Sequence, residues 1–142
     1  MDLIKKITIL IAIATLALMS CGEDVSDEDC STYSYLDCNT LEPDEADLIL
    51  RFTISNNMSS IPFEIIEGTI EDGTTIIYDT AKTSEIIYIM PLNQYYTVKA
   101  TYKNEVKTIF ALDGVNMKAR STHKCDSVCW TLPKFELNLT LQ

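Results

Sequence analysis

Tyr96-Thr97-Val98-Lys99-Ala100-Thr101-Tyr102-Lys103 decides the fold. Tyr96, Val98, Ala100 and Tyr102 alternate with Thr97, Lys99, Thr101 and Lys103, a period of two. That is the signature of a β-strand with one face against a core and the other against water. The same period recurs on both sides. Upstream, Ala46, Leu48, Leu50, Phe52 and Ile54 alternate with Asp47, Ile49, Arg51, Thr53 and Ser55, and Asn56-Asn57-Met58-Ser59-Ser60 turns the chain. Ile61 to Glu71 reads as a second strand whose apolar phase slips between Ile65 and Ile66, the mark of a bulge. Asp72-Gly73 signals a hairpin into Thr75–Asp79. Ile86–Met90 follows and stops at Pro91. Downstream, Asn104-Glu105 turns into Val106, Thr108, Phe110 and Leu112. Asp113-Gly114 reads as a further hairpin, with Val115, Met117 and Ala119 behind it. Phe135, Leu137, Leu139 and Leu141 point inward from the last strand. Residues 121–124 are polar and read as a loop. Beyond the N-terminal leader no segment shows a sustained helical period.

Seven or eight short strands with frequent turns predict an all-β, single-domain sandwich over residues 45–142. Leu92-Asn93-Gln94-Tyr95-Tyr96-Thr97-Val98-Lys99-Ala100-Thr101-Tyr102 resembles the corner that precedes the late strands of immunoglobulin-like sandwiches of the fibronectin and prealbumin types. The resemblance implies that the Tyr96 hydroxyl ties the corner down, with Leu92 packed beneath. The closing alternation through Leu137, Leu139 and Leu141 resembles carboxypeptidase-regulatory-like modules. These likenesses concern patterning and imply fold, not activity.

The leader has a different grammar. Lys5 and Lys6 precede an uncharged run from Ile7 to Met19, too short for a membrane-spanning helix and suited to the apolar region of a signal peptide. The run ends in Leu18-Met19-Ser20-Cys21-Gly22, which resembles the lipobox of bacterial lipoproteins; Met19 is bulkier than the pattern prefers. The resemblance implies cleavage after residue 20, lipidation (diacylglycerol on the thiol, palmitate on the chain) of Cys21, and membrane anchoring through it. Residues 1–20 are then a signal peptide, and residues 21–44 an acidic tether and N-terminal segment. Acidic residues directly behind the cysteine also resemble the export signal that carries lipoproteins of one Gram-negative group to the outside. The expected location is the outer membrane, facing the cell surface.

Removing residues 1–20 leaves 122 residues with 20 acidic and 9 basic side chains. Ten of those carboxylates fall within residues 21–50, which have no Lys or Arg, so Gly22–Asp29 reads as a self-repelling, flexible linker. A surface this acidic disfavours nucleic acid as a partner.

The chain has five cysteines. Assigning Cys21 to lipid leaves Cys30, Cys38, Cys125 and Cys129, an even set in an exported protein and hence two disulfides. Three pairings are open. Joining the first pair of cysteines to the second closes the longer loops, worth on the order of 4–5 kcal/mol in the chain-entropy model. It also pins the segment carrying Tyr33, Tyr35 and Leu36. Trp130 is expected to pack on the bridge beside it. Cys125-x₃-Cys129 near His123, the only histidine, is not the spacing of a zinc site, so no metal and no cofactor is expected.

Nothing in the sequence marks an enzyme. There is no nucleophile elbow, and four glycines build no phosphate cradle. Asp27-Glu28-Asp29 lacks the spaced ligands of a calcium loop. Asp79-Thr80-Ala81 and Asp126-Ser127-Val128 resemble an O-glycosylation acceptor of exported proteins. Asn57-Met58-Ser59 and Asn138-Leu139-Thr140 match the N-glycosylation pattern, which a bacterial lipoprotein does not normally use. The expectation is a non-catalytic, lipid-anchored binding or adhesion module for a glycan or protein, with Tyr33, Tyr35, Tyr78, Tyr88 and Tyr95 as candidate contacts. A periplasm-facing accessory subunit of an outer-membrane assembly is the alternative; an inhibitor or a hydrolase ranks below both.

Overall fold

The structure is a computed structural model describing residues 30–31, 34–103 and 106–141. The signal peptide, Cys21, the Gly22–Asp29 linker, Tyr33 and the Asn104-Glu105 turn lie outside the described residues. The chain divides into two compact units, residues 1–33 and Ser34–Gln142. Of the first, Cys30 and Ser31 are described, as an exposed turn. All that follows concerns the second.

Among the described residues this unit is almost entirely β, with one short 3₁₀ helix at Tyr35–Asp37. The nine strands are β1 (Glu45–Arg51), β2 (Ile61–Glu67), β3 (Thr74–Ala81), β4 (Glu85–Pro91), β5 (Gln94–Lys103), β6 (Thr108–Met117), β7 (Arg120–Lys124), β8 (Ser127–Thr131) and β9 (Phe135–Asn138). They form a three-stranded sheet in the order β4-β1-β9, a four-stranded sheet in the order β3-β2-β5-β6, and a β7-β8 ribbon. All pairings are antiparallel except β1 with β9, where the first and last strands of the sandwich run parallel.

The alternation seen in the sequence builds the core. Ala46, Leu48 and Leu50 of β1, Met90 of β4, and Phe135 and Leu137 of β9 face Ile61, Phe63 and Ile65 of β2, Tyr96, Val98, Ala100 and Tyr102 of β5, and Met117 of β6. Each Leu, Ile, Val, Phe or Met among them, fully withdrawn from water, contributes about 1.5–3 kcal/mol. The slip at Ile65/Ile66 is a register shift between β2 and β3. Ile65 enters the core, while Ile66 is buried on the outer face, under the β2–β3 loop. That loop is pinned: Gly68 N–H donates to Tyr95 O, Thr97 Oγ1 donates to Gly68 O, and Gly73 N–H donates to Thr69 O. Gly68 adopts φ 102°, a left-handed conformation that side chains resist.

The expected tyrosine corner is present. Tyr96 Oη donates to Pro91 O at 3.1 Å, and Leu92 is buried in the same cluster. A second buried tyrosine joins the sheets: Tyr102 Oη donates to Leu139 O and accepts from Thr53 N–H. On the opposite side Tyr88 of β4 donates its hydroxyl to Asp79 of β3, linking the edge strands of the two sheets.

Two sequence expectations are corrected. Asp113-Gly114 is no hairpin; it lies inside β6, opposite Val98 and Thr97 of β5. The Asp113 carboxylate accepts from Gly114 N–H and from Asn138 N–H, and Gly114 sits under the Tyr95 ring, so both residues serve an unbroken strand. Residues 121–124 are not a loop but belong to β7, which pairs with β8 through a two-residue turn at Cys125-Asp126. Cys125 takes φ 51° there, in place of the Gly or Asn that normally announces such turns. This ribbon raises the strand count above the seven or eight expected.

Cys38 and Cys129 form a disulfide, 91 residues apart, so the long-range pairing is the real one. Cys30 and Cys125 are disulfide-bonded as well. Trp130 alternates to the ribbon face opposite Cys129 and packs against the core, and its backbone N–H donates to Asn39 O.

Candidate binding face

The outer surface of the four-stranded sheet is assembled by register. Tyr78 of β3 stands opposite Glu64 of β2, Glu64 opposite Lys99 of β5, and Lys99 opposite Leu112 of β6. With strands 4.7–4.9 Å apart, this row crosses the sheet over about 14 Å. One step along, Phe110 of β6 pairs with Thr101 of β5. Tyr95 pairs with Asn116 and leans over Gly114, whose missing side chain makes room: a Cβ there would stand 2.5 Å from Tyr95 Oη. Tyr78 is 77% exposed, Phe110 55%, Leu112 52% and Tyr95 43%, high values for large apolar groups sharing one face.

Between these rings lies a fixed charge pair. Lys99 Nζ and Glu64 Oε1 are 2.8 Å apart, and Thr75 Oγ1 donates to Glu64 Oε2. The lysine hydrogen bond holds the Glu64 carboxyl below its ordinary value, against the opposing effect of burial. The same ammonium lies 5.2 Å from the Phe110 ring centroid, within cation–π range. Two shallow depressions flank the pair. One is lined by Pro62, Glu64, Tyr78, Lys99 and Thr101; the other by Thr69, Tyr95, Thr97 and Leu112. The face therefore offers exposed apolar rings at its margins and hydrogen-bonding groups at its centre, without a cleft that would shield a reaction from water.

The residues singled out from sequence fall differently. Tyr78 and Tyr95 lie on this face. Tyr88 does not: it is half-buried against the core, in edge contact with Phe63, and burial followed by the Asp79 hydrogen bond pushes its phenol up to about 12. Tyr35 lies in the 3₁₀ helix, and Leu36 beside it is exposed rather than packed. His123 is exposed on β7, opposite Val128. Among the described residues no group of three or more His, Cys, Asp or Glu is placed to hold a metal ion. Thr80 of the Asp79-Thr80-Ala81 pattern is exposed on β3, its N–H bonded to Asp79 Oδ1, while Ala81 is fully buried. Ser127 begins β8 and is half-buried. Asn57 is exposed in the Ser55–Met58 turn. Phe110, Leu112, Glu64 and Lys99 were missed, although the even phase through Thr108, Phe110 and Leu112 signalled a shared face.

The chain matches no family model, no curated protein and no solved structure.

Proposed function

We propose that this protein is a lipid-anchored envelope lipoprotein, held by Cys21 and displayed at the cell surface, whose sandwich is a non-catalytic module that binds a glycan. The observation that supports this most directly is the row Tyr78–Glu64–Lys99–Leu112 with Phe110 and Tyr95 beside it. Sugar rings present flat C–H faces and a rim of hydroxyls. Exposed aromatic faces take the former, and a charge pair with neighbouring threonines takes the latter. The open shape suits the interior of a chain rather than a small enclosed ligand.

A second reading is an accessory subunit docked on a larger envelope protein. It draws on the opposite sheet, where Ile87 and Ile89 of β4 are 50% and 64% exposed beside Ile49 of β1.

Affinity electrophoresis through gels containing neutral or acidic polysaccharides tests the first reading. Retardation of the wild type, lost in Tyr78→Ala and Phe110→Ala with melting temperatures unchanged, is the expected result. Free migration in every polysaccharide would sink it. Protease shaving of intact and lysed cells tests location: release of peptides from residues 45–142 without lysis is expected.

A further inference from the structure

The two long sides of the sandwich are finished differently. On one, β3 and β4 are joined by a short connection and by the Tyr88–Asp79 hydrogen bond; Asp79 also caps the Thr80 N–H, and β4 ends in a proline. Charges, prolines and side-chain caps are how edge strands are kept from pairing with other chains. On the other side β6 is an edge of ten residues that pairs with β5 alone. From Thr108 to Val115 it has no proline, no lysine and no register shift, and its one charge, Asp113, is turned to its own chain, accepting from Gly114 N–H and Asn138 N–H. Beside this edge, between β6 and β9, runs a groove of about 610 Å³ whose lining includes Met58, Tyr102, Ile109, Ala111 and Leu141.

We propose that β6 pairs antiparallel with β6 of a second copy of this chain, with Phe110 on the twofold axis. Antiparallel self-pairing of an identical strand generates a closed C2 contact. The sequence of the edge selects the register. Centred on Phe110, the pairing sets Phe110 opposite Phe110, Ile109 opposite Ala111, Thr108 opposite Leu112, and Lys107 opposite Asp113. The outward rings meet each other, and the inward Ile109 and Ala111 meet over the groove. Opposite charges face each other twice, once on each side of the axis. Moving the centre to Ala111 sets Ile109 against Asp113; moving it to Leu112 sets Ala111 against Asp113. Either places a carboxylate against an apolar side chain. Of these three registers the one centred on Phe110 alone sets Asp113 against a lysine. It also joins the four-stranded sheets of two copies into one, doubling the surface that carries Tyr78. The pairing rests on the free edge and its self-complementarity, not on the glycan reading.

Site-specific photocrosslinking in cells making the full chain tests this, with a benzophenone amino acid at position 110 and, as control, at 89 on the opposite sheet. The expected product is a dimer at twice the mass of the monomer band from position 110 and none from 89. Sedimentation velocity of the purified protein should show a concentration-dependent dimer. Leu112→Lys, an exposed change, should abolish it and Lys107→Glu weaken it, both with unchanged melting temperature. A wild type that stays monomeric at millimolar concentration, or crosslinks from 110 only to other proteins, overturns the proposal. So does a dimer that survives Leu112→Lys.

Discussion

Tyr102 Oη donates to the carbonyl oxygen of Leu139 at 2.7 Å and accepts the Thr53 N–H at 3.1 Å, so one buried hydroxyl ties β5 to the chain just beyond β1 and β9. Tyr102 is 1% exposed, and removing its oxygen takes the partner from both backbone groups. Tyr102→Phe should therefore cost about 1–3 kcal/mol, the penalty of leaving buried backbone groups unpaired. Tyr96→Phe removes one bond at a part-buried corner and should cost about 0.5–1.5 kcal/mol. Urea unfolding of both variants checks the order; equal losses would show that the corner carries as much as the tie between sheets.

Two glycines separate packing from function. A Cβ at Gly73 would stand 2.4 Å from Ile66 Cγ2, 2.5 Å from Thr69 O and 2.7 Å from Glu67 O. Those backbone atoms cannot yield, so Gly73→Ala should destabilise by about 1–3 kcal/mol. At Gly114 the nearest atom is Tyr95 Oη, the free end of a half-exposed side chain that can swing away. Gly114→Ala should change stability by less than about 1 kcal/mol while displacing Tyr95. Loss of polysaccharide retardation in a fully folded Gly114→Ala protein would mark Tyr95 as part of the binding face.

These contrasts show what the sequence carried. The inner faces were legible because burial on one side imposes a period of two, and Tyr96, Val98, Ala100 and Tyr102 are all buried; Thr97 between them is buried too, on the outer face, where its hydroxyl donates to Gly68 O. Asp113-Gly114 has the composition of a hairpin turn, yet the apolar phase of β6 runs through it. Ile109, Ala111, Val115 and Met117 share one parity straight through Asp113-Gly114, which a hairpin would not require. The β7-β8 ribbon was hidden because Cys125 occupies the left-handed turn position. The binding face was only half visible. Tyr78 and Tyr95 stand out by type, but the partnership of Glu64 with Lys99 depends on the β2–β5 register, which links residues 35 apart.

The Cys38–Cys129 bridge closes a loop of about 90 residues, and that cross-link restricts the unfolded chain. Cys38→Ser should lower stability by about 2–5 kcal/mol, as removal of long-range disulfides from small exported domains does. It also removes the tie beside the Asn39–Trp130 bridge, so tryptophan fluorescence should shift red at the same time. Unfolding midpoints with and without reductant check this: the wild type should fall on reduction below the level of the single variant, because Cys30 and Cys125 are disulfide-bonded too.

The Glu64–Lys99 pair should be readable in the acid limb of the stability curve. Hydrogen bonding to Lys99 depresses the Glu64 carboxyl below its ordinary 4.5 in the folded state, so near that pH the unfolded chain binds more protons. The stabilisation is fully present above about pH 4.5 and is lost as pH falls through the lower, folded value. Glu64 and Lys99 side chains are 17% and 30% exposed, which limits screening by solvent. Glu64→Gln should cost about 0.5–1.5 kcal/mol at neutral pH, and the gap to wild type should close below pH 4. A residual acid slope will persist, because Lys134 and Arg51 hold Glu136 down, and Tyr88 with the Thr80 N–H does the same to Asp79. Chemical denaturation from pH 3 to 7 decides the matter; a gap that stays constant across that range would mean the pair contributes through packing rather than charge.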